Sequence, residues 1–192
     1  RWYPGAGLYR KVSVIVKNKE SINQWGTTIT TPLISDEFAN VNIKTEITGE
    51  NTNLVTTIFN AEGEQIAKEK TSTQFGNQFI QDIKVNNPNK WSPENPYLYT
   101  AKTQLFVGEI LKDELSTRFG IREIKYEASK GFSLNGEVRK FKGVCLHHDL
   151  GPLGTAVNKA ALRRQLTILK DMGCDAIRSS HNMPSLEQLE LC

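Results

Sequence analysis

No cysteine precedes position 145, no histidine precedes 147, and only two methionines occur in 192 residues. The three cysteines, Cys145, Cys174 and Cys192, include no C-x-x-C spacing, so no disulfide framework is indicated. Cys145 and Cys174 lie in apolar strand contexts and are expected to be buried as small hydrophobes. No apolar run approaches the ~20 residues of a membrane-spanning helix, so no membrane partner is expected. Neither sign of charge dominates: 24 basic and 21 acidic residues are interspersed, for a net charge of +3. Without a clustered basic face, nucleic acid is not an expected partner either. Repeats, low-complexity stretches and Gly/Ser linkers are missing too. The chain starts at Arg1 with no charged-then-apolar leader, so a signal peptide is absent, removed or outside these residues.

What is present is the composition of a soluble globular protein, 38% hydrophobic and 23% charged. Residues 9–16 (YRKVSVIV) alternate Val12, Val14 and Val16 with polar neighbours, which predicts a half-buried strand. Residues 41–48 (VNIKTEIT) place Val41, Ile43 and Ile47 on one face and Asn42, Lys44 and Glu46 on the other. Strands are expected again at 54–59, 64–69, 78–85, 97–107, 109–119 and 121–125. Turn-forming clusters separate them at 49–53, 61–63, 76–77 and 86–96. A spacing near ~8–12 residues, with no sustained helical period from 25 to 126, predicts one antiparallel β-sandwich. Two aromatic features could stack on a sugar, Trp91 and the Trp2–Tyr3 pair. For Trp91, ahead of Pro93, Pro96 and a strand, packing under a Pro-rich loop is the better reading.

The pattern changes after Phe132. Asn135-Gly136 is a strong hairpin-turn signal, since both residues tolerate positive φ. A buried strand is expected over 141–146, then a Gly/Pro loop at 150–155, and then a helix from Asn158. That helix carries Leu162, Leu166 and Leu169 on one stripe and stops at Gly173. A second strand is expected over 175–178, and Ser185 with Gln188 resembles a capping box opening a last helix. Strand, helix, strand, helix implies a right-handed parallel unit. Two such strands cannot cover both faces alone, so instability or pairing with another copy, a homo-oligomer, is predicted.

Both strands end in ionisable groups: His147 and Asp149 after the first, Arg178 and His181 after the second. In parallel α/β sheets ligands sit at the carboxyl ends of strands, so these four are expected to be neighbours. If the extended geometry persists, His147 and Asp149 share a side and His148 faces the other way. Three readings compete. The histidines could be structural; His147, Asp149 and His181 could form a two-His-one-carboxylate metal set; or the group could bind a neutral polar ligand. Arg178 beside the set would repel a cation, which counts against the metal. The binding reading is preferred, because His and Arg supply donors and Asp an acceptor for hydroxyls.

Three stretches occur in a telling order: RWYPGAGLYR at 1–10, SLNGEVRKFKGVCLHHD at 133–149 and AIRSSHNMP at 176–184. Together they resemble glycoside hydrolase family 2, the β-galactosidase and β-glucuronidase group. The resemblance implies a mainly β chain of three parts. Residues 1–20 would end an N-terminal sugar-binding jelly roll, 21–126 would form an immunoglobulin-like sandwich, and 127–192 would open an incomplete catalytic (β/α)₈ barrel. By resemblance His147 and His181 contact the sugar of a β-glycoside and Arg178 lies beside the nucleophile; with Asp149, assigned by its place at the strand end, they are the expected substrate-binding residues. Arg178 would keep a Glu nucleophile ionised, since a nearby positive charge lowers a carboxyl pKa.

Retaining enzymes of this kind use two carboxylates about 5–5.5 Å apart. The resemblance puts both beyond Cys192, so no catalytic residue is expected within the chain and the piece alone is expected to be inactive. Glu187 and Glu190 lie on a helix expected to face outward. No cofactor and no metal are implied, and the parent's compartment leans to periplasmic or secreted. Cys145-Leu146-His147 stands where many members have Asn-Arg-His, and Asn182-Met183 interrupts the usual Ser-His-Tyr-Pro. Those departures weigh on the choice among galactoside, glucuronide and mannoside. The alternative of another class is a non-catalytic carbohydrate-binding or scaffolding sandwich module.

Overall fold

The computed structural model describes all residues except 1–6, 9, 73–75 and 148. Two compact units result, Val16–Arg139 and Arg1–Ile15 with Lys140–Cys192. In the first, β1 (Ser21–Ile34), β2 (Phe38–Thr48) and β5 (Gln78–Asn86) form one antiparallel sheet in the order β1-β2-β5. The other sheet has the order β4-β3-β6-β7, from β3 (Thr52–Phe59), β4 (Gln65–Thr71), β6 (Tyr99–Val107) and β7 (Ile110–Phe119). The alternation read from the sequence sets the layers: Val41, Ile43 and Ile47 of β2 are buried, as are Phe79, Ile83 and Val85 of β5.

The sandwich core is divided by a polar layer. One cluster holds Val41, Ile43, Ile58, Ile83 and Ala101 among others, and a second holds Ile22, Ile47, Leu54, Phe79 and Leu105. Between them, each of four strands contributes one buried polar residue: Thr45, Thr56, Gln81 and Thr103. Thr56 Oγ1 donates to Gln81 Oε1 at 2.6 Å and lies 3.2 Å from Thr103 Oγ1. Gln81 Nε2 donates to Thr71 Oγ1 at 3.2 Å. Burial of Thr56, Gln81 and Thr103 is tolerable because these groups satisfy one another, whereas Thr45 Oγ1 has no hydrogen-bond partner among the described residues.

Strand β1 is absent from the sequence expectation. It is interrupted twice in its pairing with β2, between Ile22 and Thr27 and again between Thr30 and Leu33, which breaks the period-2 signal. In the first interruption Trp25 has φ 59° and is 77% exposed. Gly26 next to it has no room for a Cβ, which would come 2.9 Å from both Asn23 Cβ and the Glu46 carbonyl oxygen.

The strand expected at 9–16 is not formed. Residues 11–18 carry no regular structure, and Val12, Val14 and Val16 are 74%, 90% and 90% exposed. Alternation makes a segment able to be a strand, but a strand also needs a ladder partner, and none is present among the described residues. Tyr9 and the Trp2–Tyr3 pair lie outside the described residues.

The strand expected at 121–125 is displaced. Ile121 makes an isolated parallel bridge to Lys90, and β8 (Ile124–Glu127) joins β9 (Gly131–Leu134) and β10 (Glu137–Val138) in a separate small sheet. Asn135 and Gly136 take φ 52° and 85° at its hairpin turn, as Asn-Gly anticipates. Trp91 is a packing residue. Its backbone N–H donates to the Ile121 carbonyl at 2.8 Å, and the Arg122 guanidinium lies 4.5 Å from its ring centroid. A Cβ at Gly120 would come 2.9 Å from Trp91 Cβ, so the contact requires glycine.

The second unit contains β11 (Gly143–Leu146), a 3₁₀ turn (Gly151–Leu153), α1 (Lys159–Asp171), β12 (Ala176–Ser179) and α2 (Leu186–Leu191). The two strands pair in parallel, Gly143 opposite Ala176 and Cys145 opposite Arg178. A Cβ on Gly143 would fall 2.3 Å from the Ala176 carbonyl oxygen, so only glycine permits this approach. Asn158 caps α1 as expected, its side chain accepting from Ala161 N at 3.0 Å. The helix closes one residue earlier than expected: Met172 is the C-cap and Gly173 follows it at φ 92°. Gly173 N–H donates to Lys170 O and Cys174 N–H to Leu169 O, the paired bonds of a Schellman motif.

Candidate functional site at the strand ends

Alternation along β11 and β12 decides which side chains can meet. Val144 and Leu146 share one face of the pair, and Cys145, directly across from Arg178, shares the other. Cys145 is exposed, which corrects the expectation of a buried thiol; Cys174 is intermediate. The apolar neighbours that prompted the expectation point to the opposite face of the same two strands.

Arg178 is the hub of the site. Its Nη1 donates to Ser180 Oγ at 2.9 Å and lies 3.9 Å from Cys145 Sγ. Its Nη2 is 3.3 Å from His181 Nδ1. A guanidinium only donates, so in this hydrogen bond Nδ1 accepts and the ring proton resides on Nε2. The His147 ring stands edge-on to the His181 ring with centroids 5.8 Å apart. Arg178, His181 and His147 are therefore brought together, as the strand-end argument expects.

Asp149 is placed differently. Its N–H donates to the His147 carbonyl at 2.7 Å and its Oδ1 accepts from Gly151 N at 2.8 Å, so the chain turns here instead of running on extended. The premise that alternation continues through 149 does not hold, and His148, expected on the opposite side, lies outside the described residues. Asp149 and His147 line a small pocket with Ser180, Thr155, Gln165 and Arg10. Among the described residues no three His, Cys, Asp or Glu side chains converge on one point, so His147, Asp149 and His181 do not form a ligand set for a metal.

The acidic residues of α2 are engaged elsewhere. Glu187 pairs with Lys11 at 2.9 Å and Glu190 with Lys159 at 2.6 Å. Of the expected capping box, the serine half is formed: Ser185 Oγ accepts from Gln188 N at 3.2 Å. Gln188 Nε2 turns instead to Ser179 Oγ at 3.3 Å, at the end of β12. Sequence reasoning missed three members of this neighbourhood, Cys145, Ser180 and Arg10. The first could have been found by aligning G-V-C-L with A-I-R-S in parallel register.

Residues 11–122 match the family model described as glycosyl hydrolases family 2. The chain belongs to that family. Among family 2 relatives, a β-galactosidase of Bacteroides ovatus is 41% identical and matches 100% of this chain. A β-glucuronidase of Streptococcus agalactiae is 31% identical over 97% of it. The chain spans only 24% and 29% of those relatives' own lengths. A crystal structure of a β-glycosidase from Bacteroides vulgatus superposes with TM-score 0.88 at 33% identity, covering 100% of this chain and 25% of that one. The family match lies mostly on the sandwich, whereas the Arg178 cluster lies outside it.

Proposed function

We propose that these residues are part of a retaining β-glycosidase, β-galactosidase-like, that hydrolyses terminal β-glycosides of carbohydrates. In this reading 1–20 end a jelly roll, 21–126 are the immunoglobulin-like domain and 127–192 open a (β/α)₈ barrel. One observation carries it. Arg178, His181 and His147 sit together at the carboxyl ends of two successive parallel strands, where a barrel enzyme binds substrate. The names borne by the relatives support the substrate class.

The roles follow from the donor set. His181 offers Nε2–H to a sugar hydroxyl while Arg178 holds its other nitrogen. His147 flanks the same sugar, and Asp149 is the acceptor of the group. Arg178 also places a fixed positive charge where a carboxylate nucleophile would be kept ionised. The nucleophile and acid/base pair, about 5–5.5 Å apart in a retaining enzyme, come from sequence outside these residues. Glu187 and Glu190 do not supply them, because each is bound to a lysine.

Incubating the purified 192-residue chain with nitrophenyl β-galactoside and β-glucuronide should release no nitrophenol. Release would sink the placement of the carboxylates. In the whole protein, galactoside hydrolysis with retained anomeric configuration, falling about 100-fold or more in H181A or R178A, is expected, a loss of about 2.7 kcal/mol. Inversion of configuration, or activity indifferent to both substitutions, would overturn the reading.

A further inference from the structure

The first of the three family-like stretches, at 1–10, is given no role by the chemistry of the strand ends, yet Arg10 reaches far along the chain to the segment that carries His181. Its Nη2 donates to the Met183 carbonyl at 2.6 Å and its Nη1 to the Pro184 carbonyl at 3.4 Å. The Arg10 Nε is buried as well. Residues 180–184 belong to no helix or strand, so their carbonyls are not engaged in a ladder of their own. The segment is fixed at its ends. Ser180, buried, donates its N–H to the Leu146 carbonyl at 2.8 Å, and Ser185 caps α2. Between those points stand His181 and the two carbonyls that Arg10 holds.

The neighbouring residue adds a second fastening. Lys11 pairs with Glu187 in the first turn of α2, and the Glu187 side chain is only 17% exposed. The hydrogen bond from Lys11 holds the Glu187 carboxyl below its ordinary pKa, and the same bond raises that of Lys11. Arg10 also lines the pocket shared with His147 and Ser180. A single planar fork thus touches consecutive carbonyls two and three residues beyond His181.

We infer that Arg10 is a positioning residue for His181, its guanidinium fixing the Met183 and Pro184 carbonyls and thereby the place of the His181 imidazole beside Arg178. A lysine could reach one carbonyl but could not bridge two with a planar fork. The consequence for sugar binding rests on the function proposed above; the structural role does not.

The test uses the 192-residue chain and the variants R10A, R10K and K11A, followed by residue-resolved hydrogen exchange and by the ring resonances of His181 and His147. In R10A the Ser180 amide, which donates to the Leu146 carbonyl in the parent, should exchange at least tenfold faster and the His181 ring resonances should shift. R10K should fall between R10A and the parent, and K11A should speed exchange in the first turn of α2 while leaving the His181 ring unmoved. Amides of α1 report whether the unit is still folded; if R10A unfolds it, R10K decides. Parent-like exchange and ring resonances in the folded variant would overturn the assignment. Galactose added to the parent chain should move the His181 ring saturably, with weaker affinity in R10A. A parent ring indifferent to galactose and to glucuronic acid would sink the sugar reading, while exchange and ring position still judge Arg10.

Discussion

The two compact units bury their apolar residues to very different degrees. In Val16–Arg139 two sheets cover each other, and both core clusters consist of side chains with almost no contact with water. In the unit containing β11 and β12, Leu162 is the only buried apolar side chain among the described residues, and Phe141, Met172, Leu186 and Leu189 are each more than half exposed. A parallel pair needs cover on both faces, and the exposure of these apolar side chains shows that this unit is incompletely covered. The difference teaches where stability and chemistry reside. The sandwich stands as its own scaffold, while the ionisable cluster sits on the less covered unit.

Equivalent truncations in the two units should therefore differ in cost. Ile58→Ala removes a fully buried side chain from the middle of the larger sandwich cluster and should cost about 3 kcal/mol. Urea unfolding of the sandwich transition measures it, and a cost under about 1 kcal/mol would mean the core can collapse around the gap. Next in size is Thr56→Val, which keeps the shape but leaves Gln81 Oε1 buried without the hydroxyl that donates to it. A loss of about 2 kcal/mol is expected, since an orphaned buried polar group costs more than its bond contributes. An unchanged midpoint would show that water already reaches the polar layer.

Leu162→Ala addresses the other side of the contrast. The side chain is buried, but its stripe partners Leu166 and Leu169 are only half-buried, so the gap opens toward solvent and the cost should fall at the low end for such a change, about 2 kcal/mol. Hydrogen exchange should rise in α1, β11 and β12 and stay unchanged in β2 and β5. Faster exchange in the sandwich strands would show that the two units unfold as one.

The sequence was most legible where one physical signal acted alone. Val41, Ile43 and Ile47 alternate without interruption, and β2 follows; Asn135-Gly136 demands positive φ, and the hairpin turns there. The β1 strand was hidden because bulges break its period, although its Thr-Thr-Ile-Thr-Thr run is strongly β-branched. Residues 9–16 misled for the opposite reason: their pattern is regular, but a pattern does not supply a neighbour to pair with. At the site, His147, Arg178 and His181 were readable from strand ends. Asp149 was readable as a nearby residue but not in its orientation, because its side chain folds back onto Gly151 and alters the local path. Arg10 could not be found that way, since its partners are backbone carbonyls 173 and 174 positions away and carry no side-chain signature.

The smallest expected effect concerns acid, and it falls within the sandwich unit. Arg139, just after β10, grips Glu94 with both nitrogens of its fork: Nη1 lies 2.9 Å from Oε2 and Nη2 bonds Oε1. The hydrogen bond from Arg139 is the main reason the Glu94 carboxyl pKa is held down from 4.5 to about 2. A carboxylate held down in the fold stabilises above its unfolded value and loses that contribution as pH falls through the folded one. The window is therefore from about 4.5 down to about 2. The Glu94 side chain is 63% exposed, so water and salt screen the pair and the global midpoint should barely move. The local effect should be visible nonetheless, because β8, β9 and β10 form a small sheet with little burial to hold it. Hydrogen-exchange protection of the β9 amides, corrected for intrinsic rates, should decline across that window in the parent and stay flatter in E94Q. High salt should shrink the difference. Identical profiles in the two proteins would show that the small sheet is held by Ile124, Phe132 and Leu134 instead, giving it the same apolar logic as the sandwich.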